Sequence, residues 1–268
     1  MQYSKYNKVL KISIQNEMEY RVSFILSIAS CFFPVLIQYF LWSAVYASST
    51  KKVIFGYSYG QMLAYTILAS IVAKLVLTGI ENEVAADIKN GGFSRFLIQP
   101  INYFIYRVSC FIGKKVLQTI ILLVVVFGVL LALRASTGFL IDMQRIFIFI
   151  LSLFFAFVLN FFISLTLSTI AFWMTEVWGI FATFGLLANI ASGGIFPIDV
   201  FGQKLQEFLS FLPFIYTVYF PVNILTGRMP LNEISRGFEI QTVWIAVFAV
   251  VSSLLWKYGL KKYVAVGG

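Results

Sequence analysis

Residues 146–172 read IFIFILSLFFAFVLNFFISLTLSTIAF, from Ile146 to Phe172 without one charged side chain. A helix of that length rises about 40 Å at about 1.5 Å per residue. The hydrocarbon core of a bilayer is about 30 Å thick, so the stretch reads as a membrane-spanning helix. Five more apolar runs surround it. Val177 to Ile198 follows directly, and Ile240 to Trp256 is the last and shortest. Upstream lie Val108 to Leu133, with Lys114 and Lys115 near its start and Arg134 closing it, and Tyr57 to Ile80, with one charge, Lys74. Val22 to Tyr46 comes first, with Gln38 as its strongly polar residue and a kink expected at Pro34. Only 12% of the chain is charged, 60% is hydrophobic and the mean hydropathy is +0.90. Soluble domains run near about 25% charged. The expected fold is all-α: a polytopic membrane protein, one transmembrane domain over residues 1–268, with six transmembrane helices.

Six spans leave both termini on one side. With that side in the cytoplasm, the inner segments hold 12 basic residues and the outer ones 7, in line with the excess of Lys and Arg on cytoplasmic loops. Trp42, Trp173, Trp178, Trp244 and Trp256 fall near span ends, as in an interfacial aromatic belt. The net charge of +9 then reads as basic flanks facing anionic lipid, not a nucleic-acid surface. The chain has no histidine, which excludes Ser-His-Asp and Cys-His catalysis and any histidine metal site. Cys31 and Cys110 are too far apart for a zinc cluster and form no disulfide framework.

Residues 1–21 are too polar for a signal peptide. Tyr3, Tyr6, Leu10, Ile14 and Met18 share one helical side, opposite Lys5, Lys8, Lys11, Gln15 and Glu19. Such an amphipathic helix either lies in the membrane interface or packs on the protein itself.

Two connections carry more information than the rest. After span two, Ile80, Val84 and Ile88 share one helical face, and Glu83 and Asp87 another. Asn90-Gly91 should close this helix, because glycine accepts the left-handed conformation. Phe93 to Gln99 is a second short amphipathic piece, ended by Pro100. This charged helix–turn–helix is either a docking element for a cytoplasmic partner or a juxtamembrane extension of span two. After span five, Ser192 to Gly227 is apolar but broken by Pro197, Pro213 and Pro221. Leu205, Phe208, Leu209 and Leu212 recur at helical spacing. Short broken apolar helices read as re-entrant or interfacial segments, packed on protein or lining a cavity.

Polar groups within the spans are candidate pathway residues. Lys74 can snorkel to the inner surface or line a path. Asn160 and Asn189 can hydrogen-bond between helices or line that same path. Glu176, at the turn between spans four and five, is a second docking contact or a solvated charge. Gly193-Gly194 lets span five break or pack closely.

In order along the chain, these segments resemble permease subunits of ABC transporters of the type-two exporter class. Ile88-Lys89-Asn90-Gly91 and Leu97-Ile98-Gln99-Pro100 fit that family's loop after span two. Ala171 to Glu176 resembles its four-to-five junction, and Ser192 to Pro197, Leu212-Pro213-Phe214 and Gly227 resemble its outer region. At Phe201-Gly202 many relatives carry a proline before the outer helix.

The resemblance implies a transmembrane permease, not an enzyme, paired with a second permease, identical or related. Two copies of a separate ABC ATPase subunit would bind ATP and Mg, so this chain carries no cofactor. A cytoplasmic coupling helix would lie after span two, with Glu83, Asp87, Ile88, Lys89, Gly91, Gly92, Arg95 and Glu176 as coupling residues. Lys74, Asn160 and Asn189 would line the substrate path, and Gly193, Gly194, Phe196, Pro197 and Pro213 would shape an outer gate. The one Gly-Lys pair, Gly113-Lys114, is followed by Lys115, and Val108 stands where a P-loop needs glycine. The expected activity is export of an amphipathic or hydrophobic cargo by alternating access, across a prokaryotic cell membrane, with both termini inside. The alternatives are an ion-driven secondary transporter, which usually needs acidic residues at mid-membrane, and a non-transporting scaffold, which needs no coupling helix.

Overall fold

The computed structural model describes residues 2–19, 22, 25, 26, 29, 30, 32–99, 101–137 and 142–263. Cys31 and Pro100 lie outside them. The described elements are α1 (Gln2–Glu19), α2 (Phe32–Ser48), a hairpin of β1 (Val53–Ile54) and β2 (Tyr57–Ser58), α3 (Tyr59–Val76), α4 (Ile80–Lys89), α5 (Ser94–Ile98), α6 (Tyr103–Thr137), α7 (Met143–Ser168), α8 (Trp178–Ala191), α9 (Gln203–Ser210), α10 (Tyr219–Leu225) and α11 (Leu231–Leu260). The strands pair antiparallel, Val53 opposite Ser58.

Among the described residues, four helical stretches are long and apolar enough to cross a membrane: Tyr59–Lys89, Tyr103–Leu131, Met143–Phe172 and Leu231–Leu260. Of the expected first span, residues 23, 24, 27, 28 and 31 lie outside the described residues, and α2 covers 17 residues of its later part and beyond. The expected fifth span is shorter: α8 has 14 residues. At about 1.5 Å per residue α8 rises about 21 Å. It stops at Ala191 rather than Ile198, because Ser192 and the left-handed Gly193 turn the chain. The sixth helix is longer than its apolar run, starting at Leu231. Its polar first turns continue the helix out of the greasy part.

Local chemistry explains the boundaries. Ser58 and Gln61 form a reciprocal capping box at the start of α3, a device whose removal costs about 1 kcal/mol. Asp142 caps α7 by accepting from the Gln144 amide at 2.9 Å. Span two does not run unbroken into the loop. Leu77 turns extended and Gly79 is left-handed (φ 67°), so the helix stops at Val76 and restarts at Ile80. The freed carbonyls find partners on neighbouring helices, as helix ends require. Asn160 Nδ2 donates to Val76 O (2.7 Å) and Lys115 Nζ to Lys74 O (3.1 Å). Thr78 Oγ1 donates to Ser164 Oγ at 2.8 Å.

Helix α1 lies along α6. A Cβ on Gly113 would sit 2.6 Å from Ser13 Cβ and 2.8 Å from the Leu10 carbonyl, so only glycine permits this approach. Tyr6, Leu10 and Ile14 are half-buried there, while Met18 is exposed. Helices α7 and α11 pack together, and α10 is wedged against α7 and α3. Among the described residues, the buried hydrophobic side chains form two clusters. The larger contains Trp42, Tyr65, Leu68, Phe149, Leu159 and Phe220. The other, around the inner loop, contains Ile80, Val84, Ile88, Phe93, Tyr103, Phe172 and Trp256. Trp42 and Trp256 are thus core residues and not part of a belt, whereas Trp173 and Trp178 are exposed.

Candidate functional site

Three regions carry the polar chemistry. At the inner loop, α4 presents Glu83 and Asp87 one turn apart, and α6 meets them with cations. Arg107 Nη1 donates to Glu83 Oε2 at 2.7 Å, and Arg107 Nη2 bonds Glu83 O and Asp87 Oδ2. Lys114 pairs with Glu83, and Tyr103 Oη donates to Asp87 Oδ2 at 2.8 Å. Glu83 and Asp87 are therefore tied to α6 by ion pairs and hydrogen bonds. Gly91 (φ 72°) closes α4 in the left-handed conformation, and the Phe93 amide reaches back to Asp87 O at 2.9 Å. Gly92 is not left-handed; a Cβ there would lie 3.2 Å from Asp87 Oδ1. Phe93 is set edge-on to Tyr103, Trp256 and Tyr263, and Ser94 Oγ meets Tyr263 Oη at 2.8 Å. Ile88 is a buried anchor. The outward surface consists of Lys89, Arg95, Ile98 (85% exposed) and Glu176, with Trp173 and Met174 also exposed beside it. Lys89 Nζ and Glu176 Oε1 stand 3.7 Å apart. Ile98 had a signal in the sequence, an apolar residue beside a polar proline turn, but its outward direction did not.

The second region is a cavity of about 650 Å³ between α2, the α3–α4 break, α7 and α8. Lys74, Asn160 and Asn189 all line it, so the three path candidates come together. Two further groups belong to it. Gln38 is only 6% exposed with its Oε1 unpaired, and Glu81 turns a buried, unpaired Oε2 into the same wall. A buried acceptor left unmade costs about 1–3 kcal/mol. Four neighbouring donors are committed elsewhere. Ser70 Oγ donates to Thr66 O, Asn160 Nδ2 to Val76 O, Ser192 Oγ to Asn189 O and Thr217 Oγ1 to Phe214 O. The break at Leu77 to Gly79, which places Glu81 in this wall, has no signal in the sequence.

The third region is the outer segment. Asp199 accepts from Tyr57 Oη (2.8 Å), Tyr219 Oη (3.1 Å) and Gln206 Nε2 (3.4 Å). Burial, then the neighbouring carboxylate, push the Tyr57 hydroxyl well above its ordinary pKa, so it stays a donor. The Arg228 guanidinium lies 3.5 Å over the Tyr57 ring and donates to Gly56 O. Gly193 (φ 79°) offers its carbonyl to Tyr65 Oη at 2.9 Å, and a Cβ there would lie 2.6 Å from that oxygen. Gly194 packs on the Asn189 side chain, Phe196 meets Trp42 edge-on, and Pro197 and Pro213 are buried at the starts of two 3₁₀ turns. The chain bends by 80° between Gln203–Ser210 and Phe214–Leu225. Phe220 to Leu225 is wholly buried. The expected stripe on α9 is different: Leu209 is buried, but Leu205 and Phe208 are 43% and 60% exposed. Protein contact falls on α10 instead, which the three prolines hid in the sequence.

A family model described as ABC-2 family transporter protein matches residues 32–267. The chain belongs to that family: it is the permease subunit of an ABC-2 type transporter, a multi-pass membrane protein whose family works with an ATPase partner subunit. No curated protein matches it.

Proposed function

We propose that this permease is one half of an ATP-driven exporter in a prokaryotic cell membrane. Two permeases, identical or related, face each other with termini inside, as six spans each. Two copies of the ATPase hold ATP and Mg and dock beneath the inner loops. The observation that carries this reading is the division of labour within residues 83–98. Glu83, Asp87 and Ile88 bind the loop to α6 and the inner core, while Lys89, Arg95 and Ile98 point outward. A push on the outward face is passed to α6 through Arg107 and to α11 through the Phe93–Trp256 contact. The break at Leu77 to Gly79 lets α4 move while α3 keeps its outer contacts. Alternating access follows if ATP-bound and ATP-free partners prefer different positions of the loop. Lys74, Asn160 and Asn189 face the cargo, an amphipathic or hydrophobic molecule, and Gly193, Gly194, Phe196, Pro197 and Pro213 shape the outer gate.

The test is co-purification with the ATPase, together with cargo efflux. Ile98→Asp and Arg95→Glu should each release the ATPase while leaving insertion and folding intact, because both side chains are exposed. Full retention of ATPase and efflux in both variants would overturn the docking assignment.

A further inference from the structure

We infer that the cavity between α2, the α3–α4 break, α7 and α8 binds an amphipathic primary amine, its ammonium donating to Gln38 Oε1 and Glu81 Oε2. This assignment rests on the permease reading above and names the chemical class of the cargo. The cavity volume, about 650 Å³, falls within the range of small-molecule sites, about 300–1,000 Å³. Its apolar wall includes Phe181 and Phe184 of α8, which suit a hydrocarbon or aromatic body.

The polar part of the wall is one-sided. Of its donors, Ser70 Oγ, Asn160 Nδ2 and Ser192 Oγ are turned to backbone carbonyls, while Lys74 and Asn189 also stand in the wall. What remains without a partner and out of contact with solvent is a pair of acceptors, an amide oxygen and a carboxylate oxygen. Gln38 is more than nine-tenths buried, and its Oε1 has no hydrogen-bond partner among the described residues. Buried acceptors are satisfied by a donor, and a charged donor gives the stronger bond. A carboxylate would bring more acceptors to a wall that already has them. A quaternary ammonium would match the charge of Glu81 but leave both oxygens unmade. Lys74 stands in the same wall and opposes a cation, so the site is a balance between Lys74 and Glu81 in which the hydrogen bonds decide.

The experiment titrates the full-length chain in nanodiscs with octylammonium, octyltrimethylammonium and octanoate, by calorimetry. Octylammonium should bind saturably, and octyltrimethylammonium about tenfold or more weakly, since it has the charge without the donors. Octanoate should not bind. Glu81→Gln and Gln38→Leu should each weaken octylammonium about tenfold, and Lys74→Met should tighten it about threefold. The gain at Lys74→Met cannot come from misfolding, so it guards the two losses. Equal binding of the two cations, saturable binding of octanoate, or no change in all three variants would overturn the assignment. The same preparations are mixed with the ATPase. Normal docking with failed amine binding sinks the cargo class alone, and failed docking with normal amine binding sinks the permease–ATPase reading alone.

Discussion

The inner loop and the outer segment are both held by carboxylates, but in opposite styles. Inside, Glu83 and Asp87 are met by two full cations, Arg107 and Lys114, and each carboxylate has more than one partner. Outside, the single carboxylate of Asp199 is met by neutral groups, two tyrosine hydroxyls and an amide. The nearby cation, Arg228, lies over the Tyr57 ring and bonds a backbone carbonyl. A half-buried network of ion pairs is hard to open stepwise, since removing one partner strands the others. Hydrogen bonds from neutral donors to a carboxylate give about 1.5–3 kcal/mol each and strand no cation when one is lost. The inner clamp is suited to transmit force and the outer latch to be opened by it.

The largest expected effect comes from breaking the clamp at its centre. Arg107→Met leaves Glu83 and Asp87 facing an apolar stub. Arg107 and Asp87 are 13% and 17% exposed, so the loss should approach about 3 kcal/mol, the lower end for a broken buried pair. Thermal unfolding in detergent measures it, and ATPase co-purification should fall with it because the loop is no longer aimed. A stable, normally docking Arg107→Met would mean that the clamp is decoration.

The next effect is outside. Gly193→Ala places a Cβ in a left-handed residue and against Tyr65 Oη. The backbone cost is about 1–2 kcal/mol, and the Tyr65–Gly193 bond must shift as well. Stability should drop less than for Arg107→Met. Access should change more: a thiol reagent added from outside should reach a cysteine placed at Asn189 faster. Unchanged access would separate Gly193 from the gate.

These two sites also show what was legible in the sequence. The close of α4 at Gly91 could be read, because a glycine after a periodic run has one strong reason to be there. Glu83 and Asp87 could be placed on one face for the same reason of period. Their partner could not: Arg107 lies 24 positions from Glu83 on another helix, and nothing local points at it. Tyr57 and Asp199 are 142 positions apart, so the outer latch exists only in the tertiary fold. The break before Glu81 was masked because Leu77-Thr78-Gly79 is short and sits in an apolar run. Pro197 and Pro213 stand at the starts of 3₁₀ turns as breaks, whereas Pro221 lies inside the first turn of α10, and which fragment became buried was decided by packing against α3 and α7.

Asp199→Asn is a gentler probe of the latch. The amide keeps one acceptor oxygen, so Tyr57 and Tyr219 lose a charged partner but not every bond. Hydrogen bonds to charged groups exceed neutral ones by about 1 kcal/mol. The expected loss is of that size, with a raised basal ATPase rate in the assembled transporter. A rate equal to wild type, together with the measured loss in stability, would make the latch structural only.

The smallest effect on stability, and the sharpest on the comparison, is at Lys89 and Glu176. Their 3.7 Å pair lies at the surface, with the Glu176 side chain 91% exposed and the Lys89 side chain 30% exposed. Exposed pairs of this kind contribute little. Lys89→Ala and Glu176→Ala should each leave unfolding unchanged within about 0.5 kcal/mol. Yet both side chains sit on the outward surface, beside Ile98 and away from the clamp. If that surface meets the ATPase, each variant should slow cargo-stimulated ATP hydrolysis without changing the melting temperature. The double variant then separates two roles. Losses that add mean each residue touches the partner by itself, whereas a double loss no larger than the single ones means the pair acts as a unit that positions Lys89. ATP hydrolysis equal to wild type in all three would place the docking surface elsewhere on the inner face, and the clamp would then be holding a loop that touches nothing.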